Sequence, residues 1–199
     1  MKKLFLGVAI AMSSLTFAQQ FGLKGGMNIS SNSGMKDLDT DAKSKVGFNA
    51  GVFMNAPIAE NFNIQPEVLY NNLGAKTTGD IDAKINLDYI SVPVMFQYNA
   101  TPQFYLEAGP QFSFLLDSKV TSDNAAVEAL GNELLKKDNL KSFDFGAGIG
   151  AGYWFTPNVG INARYVAGFS DIAKNRSSDD SNRARNNNFQ IGLSYKFGK

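Results

Sequence analysis

SFDFGAGIGAGYWFTPNVGINARYVAGF, residues 142–169, is the stretch that decides the fold class. Every second residue from Phe143 to Phe155 is apolar, and most residues between them are glycine or small and polar. A period of two is typical of a β-strand, because successive side chains point to opposite faces. After the turn at 156–158 the alternation resumes from Val159 to Phe169. The stretch therefore predicts a β-hairpin.

The composition of its two faces indicates what surrounds this hairpin. A strand of a water-soluble barrel would carry many Lys, Glu and Asp on its polar face, whereas this face is mostly Gly, Asn and Ser. The other face is uncharged and rich in Phe. Apolar side chains toward lipid, with small and polar ones toward a narrow lumen, are the pattern of a membrane-spanning β-barrel. We therefore interpret the hairpin as two membrane strands.

The glycines of the hairpin also satisfy a competing motif. Residues 146–151, GAGIGA, fit the dinucleotide-binding pattern G-x-G-x-x-G/A, and Asp171 follows about 20 residues later. That fingerprint requires a helix that begins at the glycines. Here Pro157 follows closely, and glycine recurs at every second position. The context excludes a nucleotide site and favours glycines that line a lumen.

The N-terminus predicts export from the cytoplasm. Two lysines precede an apolar run from Leu4 to Leu15, and residues 16–18 supply small side chains where a signal peptidase cleaves. We expect residues 1–18 to be a cleaved signal peptide and residues 19–199 to form one outer-membrane β-barrel domain. The apolar run is too short to span a bilayer as a helix. The mature protein is then either soluble outside the cytoplasm or a membrane barrel.

Composition excludes several classes of function. Without the two lysines of the signal peptide, 17 of the 19 basic residues remain against 18 acidic ones, which argues against a nucleic-acid partner. The chain has no cysteine and no histidine, so disulfides, His/Cys zinc sites and histidine-based catalysis are excluded. The run Asp37–Asp41 resembles the start of a calcium loop, but Ala42 replaces its glycine and Phe48 its final glutamate. We predict no enzyme activity and no catalytic, cofactor or metal site.

Eight segments share the alternation of the hairpin. Their approximate ranges are 20–30, 45–56, 62–74, 90–98, 104–116, 142–155, 159–169 and 188–197. The long, polar connections are 31–44, 76–84, 117–141 and 171–187, and the others are short. The apolar phase of all eight contains no Asp, Glu, Lys or Arg. We therefore predict an all-β fold, an eight-stranded antiparallel up-and-down transmembrane β-barrel with short periplasmic turns and long extracellular loops.

Aromatic residues gather near the ends of the predicted strands. They are Phe62, Tyr98, Phe104, Tyr153, Phe155 and Phe197 at the periplasmic end, and Phe48, Tyr70, Phe114, Phe143 and Phe189 at the other. This distribution predicts two interfacial girdles.

Two local features interrupt the regular pattern. Pro66, Pro93 and Pro110 fall inside predicted strands, and each is expected to lose a hydrogen bond or to mark a bulge. In the longest loop, apolar residues at helical spacing predict a short amphipathic helix over 124–137. This helix would cap the barrel mouth, meet a partner, or pack on its own loop.

Charged side chains in the inward phase predict a network in the lumen. They are Lys24, Glu67, Glu107, Asp144, Arg164 and Lys196. An eight-stranded barrel is only wide enough for its own side chains, so we expect these groups to pair across the interior and occlude it. An ion-selective pathway is the alternative.

Several motifs carry a resemblance to a known family. They are the run 62–70 (FNIQPEVLY), the segment 89–93 (YISVP), the segment 107–110 (EAGP), and a final strand that closes on Phe197. The mature chain resembles the small outer-membrane β-barrels of Bacteroidetes, labelled porin-family or PorT-like, with the architecture of OmpA and OmpX. The resemblance implies that Phe197 is the signal read by the barrel-assembly machinery. It also implies outer-membrane lipid, and possible surface or secretion-system proteins, as partners.

These observations leave three functions open. The first is a structural or surface-interaction role with an occluded lumen. The second is a narrow passive porin-like channel for small solutes, and the third is an accessory role in protein secretion, which the resemblance implies. A secreted lipocalin-like barrel is the main rival fold, and it would need the Phe-rich phase inside.

Overall fold

The computed structural model describes residues 19–33, 41–78, 83–134, 142–170 and 185–198. The predicted signal peptide, the acidic run from Asp37 to Thr40 and most of the loop 171–187 lie outside these ranges. Within them, no helix has the length and apolar character needed to cross a membrane.

The described residues form eight strands and one helix. The strands are β1 Gln20–Ser33, β2 Asp41–Ala59, β3 Phe62–Thr78, β4 Ala83–Asn99, β5 Phe104–Ser122, β6 Phe143–Trp154, β7 Val159–Gly168 and β8 Arg185–Lys196, and the helix α1 is Ala125–Leu134. Each strand pairs antiparallel with the next in the chain, and β8 pairs with β1 to close the sheet. The predicted eight-stranded up-and-down barrel is therefore confirmed.

Side chains alternate across the barrel wall as the sequence predicts. The outward Ile149 and Leu193 are 65% and 59% exposed, whereas the inward Asn28 and Arg164 are 0% and 1% exposed. Because the charged and amide residues are inside and the Phe-rich phase is outside, the lipocalin-like alternative is wrong.

Six strands extend into segments predicted as loops: β1 and β8 by three residues each, and β2, β3, β4 and β5 by more. β2 begins at Asp41, β3 ends at Thr78, β4 begins at Ala83 and β5 ends at Ser122, all within segments predicted as loops. The extensions of β2, β3 and β5 are rich in polar residues and lack the apolar–polar alternation on which the strand predictions rest. Residues 83–89 of β4 do alternate, but their apolar side chains fall in the opposite phase to the outward Ile90 and Val92. As a result, β2–β5 extend further than the other strands at the end of the barrel that carries the long connections.

The prolines interrupt single hydrogen bonds without shifting the strands. Pairing continues in one register on both sides of Pro66, Pro93 and Pro110. The register shifts fall elsewhere, between Ser44 and Asn49 and between Asp88 and Tyr89 among others. Of the two predicted outcomes, a lost hydrogen bond therefore applies and a bulge does not.

The helix α1 packs against the upper end of β5. Asn124 caps its N-terminus by accepting from the backbone N–H of Ala126 at 3.0 Å. The side chain of Asn132 accepts from Val120 N at 2.8 Å and donates to Val120 O at 3.1 Å, as a neighbouring strand would. β6 pairs with β5 only as far as Phe114, so α1 takes over the edge that β6 leaves. Among the described residues the helix packs on β5, within the segment predicted as its own loop, and a role in meeting a partner stays a prediction.

Outward aromatic residues cluster near both ends of the strands. Phe62 and Tyr98 lie with ring centroids 5.2 Å apart near the short turns, and Phe114 and Phe143 lie 5.4 Å apart near the long connections. All four rings are 44–48% exposed on the outer surface. This arrangement matches interfacial girdles.

Candidate functional site: the barrel lumen

A buried ionic cluster lies across the barrel interior. Arg164 binds Glu67 through Nη2 at 2.7 Å and Glu107 through Nε at 2.7 Å. Lys24 Nζ binds the same Glu67 Oε1 at 3.0 Å. The side chains of Arg164, Glu67 and Glu107 are 0% exposed, and that of Lys24 is 3% exposed. We call these four residues the central cluster, and their formal charges cancel.

Alternate strands bring the central cluster to one level. Lys24, Glu67, Glu107 and Arg164 come from β1, β3, β5 and β7 respectively. Glu107 and Arg164 both pair in register with Gly150 of the intervening strand. A Cβ atom at Gly150 would lie 3.1 Å from Glu107 Oε1, so the glycine leaves room for the ion pair.

Amide side chains complete the hydrogen bonding of both carboxylates. Gln65 donates to Glu67 Oε1 at 2.8 Å, and Gln97 donates to Glu107 Oε2 at 3.1 Å. Asn55 in turn donates to the Oε1 atoms of Gln65 and Gln97, at 2.9 and 2.7 Å. A buried charge is tolerated when its remaining hydrogen-bonding positions are filled, and here the amides fill them.

Two of the six predicted lumen charges lie outside the central cluster. Asp144 lines a small cavity nearer the long connections, together with Gln111 and Asn188. Lys196 lies at the opposite end, with its Nζ 4.0 Å from the centroid of the Trp154 ring. The structure thus brings four of the six predicted charges into one cluster and places these two at other levels, because alternation fixes the face of a residue but not its height.

An aromatic cluster fills the lumen at the end of the short turns. Phe53, Tyr105 and Trp154 are buried together inside the barrel. Each ring lies over a glycine of an adjacent strand, so a Cβ atom at that glycine would collide with it. The glycine–ring pairs are Gly22 with Phe53, Gly152 with Tyr105, and Gly160 with Trp154. The glycines thus provide space for rings that close this end.

An apolar cluster occupies the other end of the lumen. Leu73, Leu87, Tyr89 and Leu115 are all at most 3% exposed. Between it and the central cluster, Asn28 accepts from Asn49 at 2.6 Å and donates to Asn71 at 3.2 Å. The lumen is thus filled by side chains in successive layers.

These two clusters are what the sequence interpretation missed. It treated the inward phase as small and polar, and assigned occlusion to charges alone. The sequence did contain a signal for them. Trp154 lies in the same alternating phase as the inward Asp144 and Gly152, and Tyr105 lies in the same phase as Glu107. Large rings at inward positions beside glycines indicate a filled lumen.

The described part of the lumen shows no cluster of metal-binding side chains. Within the ranges that the structure describes, no group of three or more His, Cys, Asp or Glu side chains is placed to hold a metal ion. Both glutamates of the central cluster are fully engaged by cations and amides. The geometry fits a closed, rigid interior.

A family comparison agrees with this architecture. A profile described as "Outer membrane protein beta-barrel domain" matches residues 17–174. The chain belongs to this family of outer-membrane β-barrel domains, and it is an integral outer-membrane protein of a Gram-negative bacterium. No curated protein matches the chain.

Solved structures share the barrel at low sequence identity. Neisserial surface protein A is 16% identical with a TM-score of 0.51, over 90% of this chain and 97% of that one. Ail, the attachment invasion locus protein of Yersinia pestis, is 15% identical with a TM-score of 0.49, over 91% and 100%. OprG from Pseudomonas aeruginosa is 16% identical with a TM-score of 0.47, over 92% and 97%. At 16% identity, the similarity to Neisserial surface protein A shows a shared fold alone.

Proposed function

We propose that this protein is a non-conducting outer-membrane barrel with a structural or surface-interaction role. The observation that carries the proposal is the Arg164 side chain, which reaches from β7 to carboxylates on β3 and β5. These bonds cross the lumen, and the buried aromatic cluster closes the end below them. With the interior filled, the working surface is the side of the long connections, where β2–β5 and α1 extend.

Single-channel conductance of the refolded mature chain in a planar bilayer tests this proposal. We expect no conductance steps from a barrel shown to be folded by its heat-dependent gel mobility. Reproducible steps in the unmodified protein, altered by Arg164→Ala and Glu67→Ala, would favour the narrow passive channel instead. Lys119→Ala, at an exposed position of β5, is the control for a lost charge outside the lumen.

The accessory role in protein secretion has support only from the resemblance to PorT-like barrels. No contact among the described residues distinguishes it from a surface-interaction role. A deletion strain that loses secreted proteins, and regains them with the unmodified chain, would favour it over the first proposal.

We also propose that Phe197 is read by the barrel-assembly machinery. Its ring is 49% exposed on the outer surface, and its backbone N–H donates to Phe21 O at 2.7 Å, next to the seam between β8 and β1. Phe197→Ala should slow the appearance of folded barrel in cells, whereas Phe155→Ala, at an exposed phenylalanine of the same end, should not. Equal slowing by both variants would make Phe197 an ordinary girdle residue.

A further inference from the structure

A groove runs across the outer wall of the barrel over β3, β4, β5 and β6. Its volume is about 240 Å³. The outward side chains that line it are Phe62, Phe96, Tyr98, Leu106, Ala108 and Ile149. Apart from the Tyr98 hydroxyl, these side chains are entirely hydrocarbon. The groove is therefore an apolar depression in the surface that faces the lipid.

The sheet itself forms the floor of the groove. Gln97 and Glu107 contribute their main chain to it, because their side chains are hydrogen-bonded to each other inside the lumen at 3.1 Å. Gly150 adds a third stretch of main chain. The groove thus offers no charged side chain to a guest.

Strand register explains why the depression exists. Ala108 pairs with Phe96 of β4 and with Ile149 of β6, so a methyl group stands between two large side chains. In the next row toward the short turns, Leu106 pairs with Tyr98 and the wall is again built of large side chains. One small residue therefore interrupts an otherwise continuous apolar surface.

The depth of the groove in the membrane indicates what surrounds it. Ile149 lies midway between the two aromatic ends of β6. Phe62 and Tyr98, with ring centroids 5.2 Å apart, belong to the girdle at the short turns, which is the periplasmic end of such barrels. The groove consequently lies in the periplasmic half of the bilayer. The hydrocarbon at that depth is the acyl chains of phospholipids, since the glycolipid of an outer membrane occupies the outer leaflet.

Size and shape favour a single acyl chain over a second barrel. An apolar cavity of about 150 Å³ already holds benzene, so this groove has room for a section of hydrocarbon chain. An unfilled groove would lose dispersion contacts along its whole wall. A stable protein interface needs roughly 1,000 Å² of buried surface, far more than a depression bounded by six side chains provides.

We infer that the groove binds one acyl chain of a phospholipid from the periplasmic leaflet. The chain lies over Ala108, between the side chains of Phe96 and Ile149. The Tyr98 hydroxyl stands at the membrane interface, where an amphipathic ring can meet the glycerol or phosphate of the same lipid. The site is on the outer wall, so it does not depend on whether the lumen conducts.

Native mass spectrometry of the barrel, released from detergent after mild extraction from outer membranes, tests the inference. Ala108→Phe fills the groove, and we expect this variant to retain one phospholipid molecule fewer than the unmodified protein. Ala108→Leu keeps the test available if the first variant does not fold. The mass of the retained lipid identifies its class, and a glycolipid there would overturn the inference.

Ala163→Phe is the matched control for these variants. Ala163 is an outward alanine of β7 that pairs with Ala151 and Ile191, outside the groove. We expect the control to retain as many phospholipids as the unmodified protein. Equal retention by the unmodified protein, Ala108→Phe and Ala163→Phe would mean contact with bulk lipid only and would overturn the site.

Oxidative crosslinking in membranes distinguishes a lipid from a second copy of the chain. The sequence has no cysteine, so Ala108→Cys introduces a single thiol into the groove. We expect it to form no more disulfide-linked dimer than Ala163→Cys, because an acyl chain covers the position. A clear excess of dimer through Ala108→Cys would assign the groove to a second barrel and overturn the inference.

Discussion

Arg164 and Glu67 meet through two parallel hydrogen bonds, from Nη1 to Oε2 at 2.9 Å and from Nη2 to Oε1 at 2.7 Å, although 97 residues separate them in the chain. Such a fork-to-fork contact is among the strongest and most directional that side chains make. Here it joins β7 to β3 through the interior of the barrel. The contact therefore constrains strands that share no backbone pairing.

Loss of the Arg164 guanidinium should destabilise the barrel strongly. Arg164→Met leaves two buried carboxylates without their main counter-ion, which costs roughly 3–5 kcal/mol of unfolding free energy. The measurement is reversible urea unfolding in lipid vesicles, followed by Trp154 fluorescence. Adding Glu67→Gln to Arg164→Met should recover part of the loss, because one buried charge is removed. Lys119→Met, at an exposed position, should change the free energy little, and equal losses in both single variants would contradict the prediction.

A methyl group at Gly152 should displace a buried ring. A Cβ atom there would collide with the ring of Tyr105, which is only 2% exposed. Overpacking of this kind costs about 1–3 kcal/mol, measured by the same urea unfolding. The matched control is Gly25→Ala, because the nearest atom to a Cβ at Gly25 is 3.8 Å away. Gly152→Ala combined with Tyr105→Ala should cost less than the sum of the two changes, and strict additivity would argue against the ring–glycine contact.

A charged substitution on the outer face should destabilise the barrel at a position embedded in the membrane but not at one exposed to water. Ile149 is 65% exposed midway between the two aromatic ends of β6, so it faces the lipid core. Ile149→Lys should destabilise the barrel by about 2–4 kcal/mol in vesicles. Leu130→Lys provides the control, since Leu130 is 62% exposed on α1, on the side of the long connections. Similar small effects of both variants would contradict lipid exposure at Ile149.

Removal of the Asn132 side chain should expose the upper edge of β5. Asn132→Ala deletes both bonds to the backbone of Val120, a loss of about 1–3 kcal/mol in local stability. Hydrogen exchange at the Val120 amide should accelerate correspondingly while exchange in β7 stays unchanged. Leu130→Ala, on the same helix, should leave the Val120 amide protected, and equal acceleration in both variants would assign the effect to helix loss.

The sequence predicted the face of each residue better than its height. Alternation identified the inward positions of Glu67, Glu107 and Arg164, because the strand period is a local property. It could not place Asp144 beside a cavity or Lys196 over Trp154, since height depends on the register between strands. That register includes shifts such as the one between Asp88 and Tyr89, and no local pattern marks them.

The extent of the strands shows a second limit of sequence interpretation. The alternation between an apolar and a polar face reports a bilayer on one side and a lumen on the other, so the outward apolar phase ends where a strand leaves the membrane. Residues 117–122 lack that contrast, and they were predicted as loop although they pair with β4. The edge-covering bonds of Asn132 depend on this extension and could not be foreseen without it.

The pairing of β1 with β8 has a consequence for how the molecule folds. Gly22 pairs with Lys196, so the closing contact joins residues that lie 174 positions apart in the sequence. Contacts of such sequence separation form late, because the entropy of closing so large a loop must first be overcome. Until then both terminal strands present unpaired edges that can associate with other chains. Ring closure is thus expected to be the rate-limiting and most aggregation-prone step of folding.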